Sequence, residues 1–418
     1  MKIAVLGGGV AGVSAAFWLS RIHDVTLFEK NKYVGGHTNT IVIENGPDAG
    51  TAVDTGFIVC NDRCYPTFHK FLKELEVPVR FSDMSFGYHC EETGLQYSGR
   101  RGMRGLFAQK RNAVRPWYWR MLSEVVRFGR ETKTALEAGE LEDVSLGDYL
   151  KDSGYGAPFR RHYLLPMGSA IWSTPSGQML SFPAQTLARF FDNHGLLDLR
   201  DRPQWQTVVG GSHSYIKAFL KRFSGDVVTG KPAVGVKRDL QGVSVRFEDG
   251  ESRRFDNVVI AAHADQAHAM LEDPSEDETR LLGPWRYERN RTILHTDVSV
   301  LPPIRGAWAS WNYFRASGSD EERATMTYDM NNLQGLQTKE RYCVTLNPER
   351  EIDPARIIRE INYMHPLFTA EAVRTQNELP SLQGKRRTYF VGSYHGYGFH
   401  EDAVRSAATV AGLFGVQS

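Results

Sequence analysis

At 418 residues the chain has room for two interleaved domains, and 41% hydrophobic with 24% charged residues is the balance of a soluble globular protein. A net charge of +1 points to neither nucleic acid nor an acidic partner, and no run approaches the ~20 apolar residues of a membrane span. Cys60, Cys64, Cys90 and Cys343 form no CxxC pair and no metal spacing with histidine, so reduced structural cysteines, no metal site and a cytoplasmic protein are expected.

The chain opens with a short buried strand, Lys2-Ile-Ala-Val-Leu6, which runs into Gly7-Gly8-Gly9-Val10-Ala11-Gly12 and an apolar helix carrying Ala15, Ala16 and Leu19. A second strand, Asp24 to Phe28, ends on Glu29 and Lys30. Strand, glycine turn, helix, strand and acid is the order of a dinucleotide site. Gly7 allows the tight turn, Gly9 lets backbone approach a pyrophosphate, and Gly12 lets the helix pack on the sheet. The helix N-terminus offers free N–H groups and partial positive charge, and Glu29 can accept hydrogen bonds from a ribose. A second glycine pair follows in Gly35-Gly36-His37-Thr38, where backbone can approach the cofactor again.

Thr40 to Glu44 and Thr51 to Val53 read as a hairpin around Asn45-Gly46-Pro47, followed by Asp54-Thr55-Gly56-Phe57. Phe68, Phe71, Leu72 and Leu75 recur at helical spacing and predict a helix over Tyr65 to Leu75. Residues 98–130 carry Arg100, Arg101, Arg104, Lys110, Arg111, Arg115, Arg120, Arg127 and Arg130 against Glu124 alone, interleaved with Leu106, Phe107, Trp117, Tyr118 and Trp119. That mixture fits docking on an anionic lipid surface and equally a helical cap with solvated arginines. Residues 159–186 are rich in aromatics, Pro and Met, including Trp172 and Phe182, and suit the wall of an apolar cavity or an ordinary core. A helix is predicted over Ala184 to Asn193.

After Gly210-Gly211-Ser212 comes a predicted helix, His213 to Phe223, then strands at Asp226 to Val228, Ala233 to Arg238 and Val243 to Phe247. The buried run Asn257 to Ala262 suits a central parallel strand and leads into a helix over Asp265 to Leu271. Pro354 starts a segment to Met364 that is predicted helical. At the far end, a strand over Arg387 to Val391 meets the glycine-rich loop Gly392 to Asp402 and a helix over Ala403 to Phe414, with Ala403, Ser406, Ala407, Ala408 and Ala411 allowing close packing. Its positive N-terminus could stabilise negative charge on a reduced flavin.

Gly7-x-Gly9-x-x-Gly12 with Glu29, the Gly35-Gly36 pair, Asp54-x-Gly56, the Val234 strand, Val258 to Ala262, and Gly392 with Gly398-Phe-His-Glu-Asp resemble the flavin-containing amine oxidase superfamily. That superfamily also holds phytoene-desaturase-like enzymes, and the resemblance is nearest to a bacterial branch of FAD-dependent oxidoreductases with GGHT near the start and GYGFHED near the end. It implies an α/β fold: a Rossmann-like, glutathione-reductase-like FAD-binding domain of residues 1–75, 205–271 and 380–418, interleaved with an α+β substrate domain of residues 76–204 and 272–379.

It also implies non-covalent FAD, with Gly7, Gly9, Val10, Ala11 and Gly12 at the pyrophosphate, Glu29 with Lys30 at the ribose, and Gly35, Gly36, His37 and Thr38 in the place of the family's GGR segment. Val234 backbone would read the adenine, Gly56 and Phe57 would lie near the ring system, and Gly392, Phe399, His400 and Glu401 would bracket its far end. Trp172 and Phe399 are the expected substrate contacts. His37 stands where the family has arginine, so charge compensation of the pyrophosphate becomes weaker or pH-dependent. Tyr394 replaces an acid, Phe399 replaces the tyrosine of the amine-binding cage, and Arg291 to His295 holds no flavin-facing lysine.

No second GxGxxG turn is present for NAD(P)H, which leaves the organic substrate as hydride donor and dioxygen or a quinone as acceptor. The expected activity is an FAD-dependent oxidase or desaturase on a hydrophobic substrate such as a fatty acyl chain of a membrane lipid, working in the cytoplasm or at the inner face of the membrane. The alternatives are an amine oxidase, a flavin-dependent double-bond isomerase, and an FAD-binding structural partner of a lipid-modifying complex. His295, Tyr397 and His400 are general-base candidates by type, and none is singled out.

Overall fold

In the computed structural model, which describes residues 1–200, 202–318 and 325–418, five parallel strands organise the chain. Their order is Asp226–Thr229, Asp24–Glu29, Lys2–Leu6, Asn257–Ile260 and Thr388–Phe390. The central strands are β-branched and buried on both faces, as parallel strands covered from two sides must be. The helix Val10–Leu19 lies on one face with Val13, Ala15, Ala16 and Trp18 fully buried. Trp18 still satisfies its indole N–H by donating to Glu74 at 2.9 Å. The terminal helix His400–Leu413 packs alongside, its Ala403, Ala407 and Ala411 letting the two helices approach closely.

A second, seven-stranded sheet has the order Ile357–Leu367, Arg286–His295, Cys343–Leu346, Thr325–Asp329, Trp311–Arg315, Phe86–Cys90 and Leu95–Ser98. A three-stranded sheet, Ala233–Asp239, Gly242–Phe247 and Ser252–Phe255, packs Val243, Val245 and Phe247 against the parallel sheet. The hairpin forms as expected from Thr40–Val42 and Ala52–Asp54, and the helices Pro66–Glu74, Ala184–Asn193 and His213–Arg222 lie where the periodicity places them.

Two predicted elements differ. The segment predicted helical over Pro354 to Met364 is a short 3-10 turn, Pro354–Arg356, followed by the long strand Ile357–Leu367. Asp353 caps the turn by accepting from Ala355 N–H at 2.9 Å, so the helical start that Pro354 signals does form, over three residues only. Beyond it, Ile357, Ile358, Ile361 and Tyr363 favour an extended backbone, and pairing along Arg286–His295 supplies a ladder that a helix would forgo. Arg291 grips Glu360 at 3.0 and 2.7 Å across that ladder. The terminal helix also begins at His400 rather than Ala403, because Gly398 (φ +94°) turns the chain directly into it.

The helical run ending at Trp172 widens into a π turn over Arg160–Leu164. Pro166 has no N–H to donate to the carbonyl of His162, and Tyr97 Oη donates to that carbonyl instead, at 2.7 Å. In the basic region the helix Pro116–Glu137 buries Tyr118, Met121 and Phe128 and leaves Trp119 and Val126 exposed. Glu124 is buried and accepts from Gly156 N–H, while Arg100 pairs with Asp83 at 2.9 Å. No helix among the described residues is long and apolar enough to cross a membrane.

Candidate cofactor cleft and its aromatic wall

The glycine turn sits at the carboxyl end of the strand Lys2–Leu6, and sterics dictate its glycines. A Cβ on Gly7 (φ +113°) would lie 2.3 Å from Ala261 O, and one on Gly12 would lie 1.9 Å from Gly7 O. A Cβ on Gly9 would meet nothing within 4 Å, so the turn keeps open space at this position. The helix Val10–Leu19 has no side-chain cap, which leaves its N-terminal N–H groups and dipole to face that space. The second glycine pair closes against the first: Gly35 N–H donates to Gly8 O at 2.8 Å, and a Cβ on Gly36 (φ +59°) would approach Gly9 Cα to 3.1 Å.

Glu29 is buried at the strand end, accepting from Gly8 N–H at 2.7 Å and from Asn31 N–H and Nδ2–H at 2.8 Å each. Lys30 next to it is exposed. Val234 is the bulged residue of its strand, where Ala233 pairs with Phe247 and Gly235 with Arg246, so its backbone groups stand outside the ladder. An adenine edge could use those groups.

Farther along the cleft, Asp54 ties the hairpin to the Gly210-Gly211-Ser212 loop. It accepts from Ser212 N–H at 2.8 and 3.0 Å, Ser212 Oγ at 2.8 Å, Thr40 Oγ1 at 2.5 Å and Gln334 Nε2 at 3.0 Å. Burial outweighs those bonds and pushes its carboxyl up to about 6. Gly56 packs directly on His37, with Phe57 N–H donating to His37 O at 2.8 Å. Phe57 stacks on His400 at 3.6 Å. His400 Nε2 meets Thr38 Oγ1 at 3.1 Å and Tyr215 Oη at 3.3 Å, and burial holds its imidazole well below the usual range. Thr38 is also bonded to Tyr215.

Several expected contacts have their side chains engaged elsewhere. Glu401 accepts from Thr67 N–H at 3.1 Å and Phe68 N–H at 2.9 Å, capping the helix Pro66–Glu74 rather than facing the cleft. Asp402 accepts from Tyr397 and Phe399 N–H at 2.9 and 3.0 Å. Gly392 N–H donates to Ser406 Oγ at 3.0 Å, and Tyr394 is buried with its hydroxyl unpartnered among the described residues.

Phe399 and Trp172 belong to one aromatic wall. Phe399 stacks on Phe190 at 5.0 Å, and Trp172 packs against Phe190 and Phe182 at 4.9 and 4.6 Å, with its indole N–H donating to Tyr397 O at 3.2 Å.

The structure adds residues that the sequence did not single out: His263, Tyr287, Tyr363 and His365. His37 lies 5.0 Å from Tyr363, 5.5 Å from His365 and 6.2 Å from His263, ring to ring, and His263 stacks on Tyr287 at 4.2 Å. Burial holds the His37 imidazole below its usual range, and burial with mutual repulsion pushes His263 and His365 down to about 3. His263 follows a buried parallel strand, the place where α/β sheets bind ligands, and could have been marked from that alone. Tyr363 and His365 share a face only because their segment is a strand, since helical spacing would separate them.

The crevice therefore offers an uncapped helix N-terminus, the bulge backbone of Val234, a buried acid at a strand end and a set of closely packed aromatic and histidine rings, which fits an extended dinucleotide. No group of three or more His, Cys, Asp or Glu among the described residues is arranged to hold a metal ion.

Comparison with known proteins agrees with that geometry. The model of the family described as flavin containing amine oxidoreductase matches residues 10–337. A 4,4'-diapophytoene desaturase of Staphylococcus aureus is 55% identical over 42 residues, which are 10% of this chain and only 8% of the desaturase. Among solved structures, a putrescine oxidase bound to putrescine superposes with a TM-score of 0.68 at 16% identity, covering 99% of both chains. A fatty acid isomerase from P. acnes that produces CLA superposes with a TM-score of 0.65 at 15% identity, over 99% of this chain and 98% of the isomerase.

Proposed function

Since the chain belongs to the flavin-containing amine oxidoreductase family and is an FAD-dependent oxidoreductase, we propose that its substrate is hydrophobic, an acyl chain of a membrane lipid, oxidised or desaturated at the aromatic wall. The observation that carries this reading is the wall itself: Trp172, Phe182, Phe190 and Phe399 pack in series beside the start of the terminal helix. The neighbouring acids, Glu401 and Asp402, are committed to backbone N–H groups. A substrate ammonium would need a desolvated acceptor there, whereas a hydrocarbon needs only complementary apolar surface.

In this reading Gly7, Gly9, Val10, Ala11 and Gly12 hold the diphosphate, and Glu29 and Lys30 the ribose. Val234 backbone meets the adenine, and Gly35, Gly36, His37, Thr38, Gly56, Phe57, Gly392, Phe399 and His400 line the rest of the cofactor. FAD supplies the hydride acceptor when bound. The protein orients the chain against Phe399 and Trp172 and excludes water, and neutral His400, facing Thr38 and Tyr215, adds no charge to the chamber. Residues 1–75, 205–271 and 380–418 would form the cofactor domain, a division supported by their supplying every strand of the parallel sheet. Residues 76–204 and 272–379 would form the substrate domain.

The reading includes docking on an anionic lipid surface. Arg101, Arg104, Lys110 and Arg130 are exposed and make no ion pair among the described residues, beside exposed Met103, Val114 and Trp119. Anaerobic titration of the yellow protein tests the substrate class. Bleaching of flavin absorbance by phospholipid but not by putrescine or other amines is expected, and the reverse pattern would overturn the proposal. Continued anaerobic turnover of lipid, with no acceptor present, would instead identify an isomerase.

A further inference from the structure

The histidines around His37 are placed to do more than line the cleft. His37 directly follows Gly36, on which a Cβ would come within 3.1 Å of Gly9 Cα in the glycine turn. His263 lies two residues after Ala261, against whose carbonyl Gly7 closes. His365 comes from the opposite sheet, on the strand Ile357–Leu367, and meets His37 at 5.5 Å. Three imidazoles from three segments thus converge beside the point where a dinucleotide carries its negative charge. His263 Nδ1 is buried with no hydrogen-bond partner among the described residues, so one ring atom of the cluster is open to a ligand or a proton.

We propose that His37, His263 and His365 form a titratable cation site for the diphosphate of the cofactor, taking up one shared proton from solvent as the diphosphate seats and releasing it as the cofactor leaves. The arginine expected after Gly35-Gly36 would be a fixed charge, whereas this cluster is a conditional one. Without the anion, burial and mutual repulsion keep the rings neutral, and only a backbone hydrogen bond to Met364 works the other way on His37. A nearby dianion favours the protonated form of any imidazole beside it, which couples cofactor affinity to pH.

The sign follows from the proton count. The loaded protein binds more protons than the empty one, so affinity strengthens as pH falls and weakens as it rises. The other titratable groups facing the cluster are His400, Tyr287, Tyr363, Lys30, Asp265 and Arg286. Asp54, pushed up to about 6, also titrates near this range but is bonded to Thr40, Ser212 and Gln334 rather than to the three imidazoles, so its own variant serves as a control.

The test dilutes the holoenzyme at about pH 6, 7 and 8 and reads released FAD by its fluorescence at equilibrium. Full uptake of one proton makes Kd rise by roughly tenfold per pH unit. The double variant His263→Gln with His365→Gln should flatten that slope, and Asp54→Asn should not. ADP, which carries the diphosphate, should displace FAD with the same pH dependence, and riboflavin, which lacks it, should bind without it. A Kd independent of pH in the unaltered protein, a slope that survives the double variant, or a pH dependence seen with riboflavin would each overturn the proposal. Should the double variant fail to fold, the comparison of ADP with riboflavin on the unaltered protein decides alone.

Discussion

Gly9 and Gly12 stand three residues apart in one turn, yet substitution should break them in different ways. Gly9 has φ −73°, a backbone any residue adopts, and its missing side chain leaves free space. Gly9→Ala should therefore fold with stability changed by less than about 1 kcal/mol, while its methyl group takes space that the proposed diphosphate site needs. The check is the ratio of flavin to protein absorbance in the purified enzyme, expected to drop at least tenfold with an unaltered unfolding curve. Gly12→Val places its Cβ against Gly7 O, so both flavin content and stability should fall. The steric need for glycine at position 12 was legible in the sequence because it depends on Gly7, a neighbour close in the chain.

At the scale of elements, Glu401 links two helices. It opens the terminal helix and caps the helix Pro66–Glu74 more than three hundred residues earlier in the sequence. Glu401→Ala should cost about 1–2 kcal/mol in urea unfolding while the flavin spectrum is kept, because the carboxylate faces the helix and not the cleft. The motif placed Glu401 at a helix start correctly, but which N–H groups its carboxylate reaches is a fact of packing.

The strand Ile357–Leu367 makes the same point from the other side. Pro354 is a sound helix signal, and it was overridden by a ladder whose other half lies some seventy residues earlier. With that strand misread, Tyr363 and His365 could not be placed together. The basic helix is the third case. Tyr118 belongs to the core, whereas Trp119, Arg101 and Arg104 face outward, the two arginines with no ion pair among the described residues. Arg101→Glu with Arg104→Glu should reduce sedimentation with anionic vesicles several-fold and leave neutral vesicles unaffected. Unchanged binding would remove the membrane part of the proposal.

For the molecule as a whole, buried histidines set the response to acid. Burial pushes His89, His162, His194, His295 and His395 down to about 4. In the unfolded chain the same groups titrate near the ordinary value of 6.5. As pH falls below that value the unfolded chain takes up protons that the folded chain refuses, so stability is lost between about pH 6.5 and 4. The loss is on the order of 1.4 kcal/mol per pH unit for each histidine that stays neutral. Asp54 and Asp402, raised by burial, oppose it, since they favour the folded state at low pH. Urea midpoints measured at about pH 7.5 and 5 should fall steeply, and equal midpoints would contradict the burial of these rings.

The sequence by itself determined the glycine turn, the acid at the end of the second strand, the second glycine pair and the family, because each depends on a few residues close together whose steric needs are local. It also placed most strands and helices, since hydrophobic period follows directly from which face is buried. Only the tertiary structure decided that Glu401 caps a distant helix, that the segment after Pro354 runs extended, and that His37, His263 and His365 meet. Those are relations between segments far apart in the chain, fixed by pairing and packing energies that no local pattern encodes.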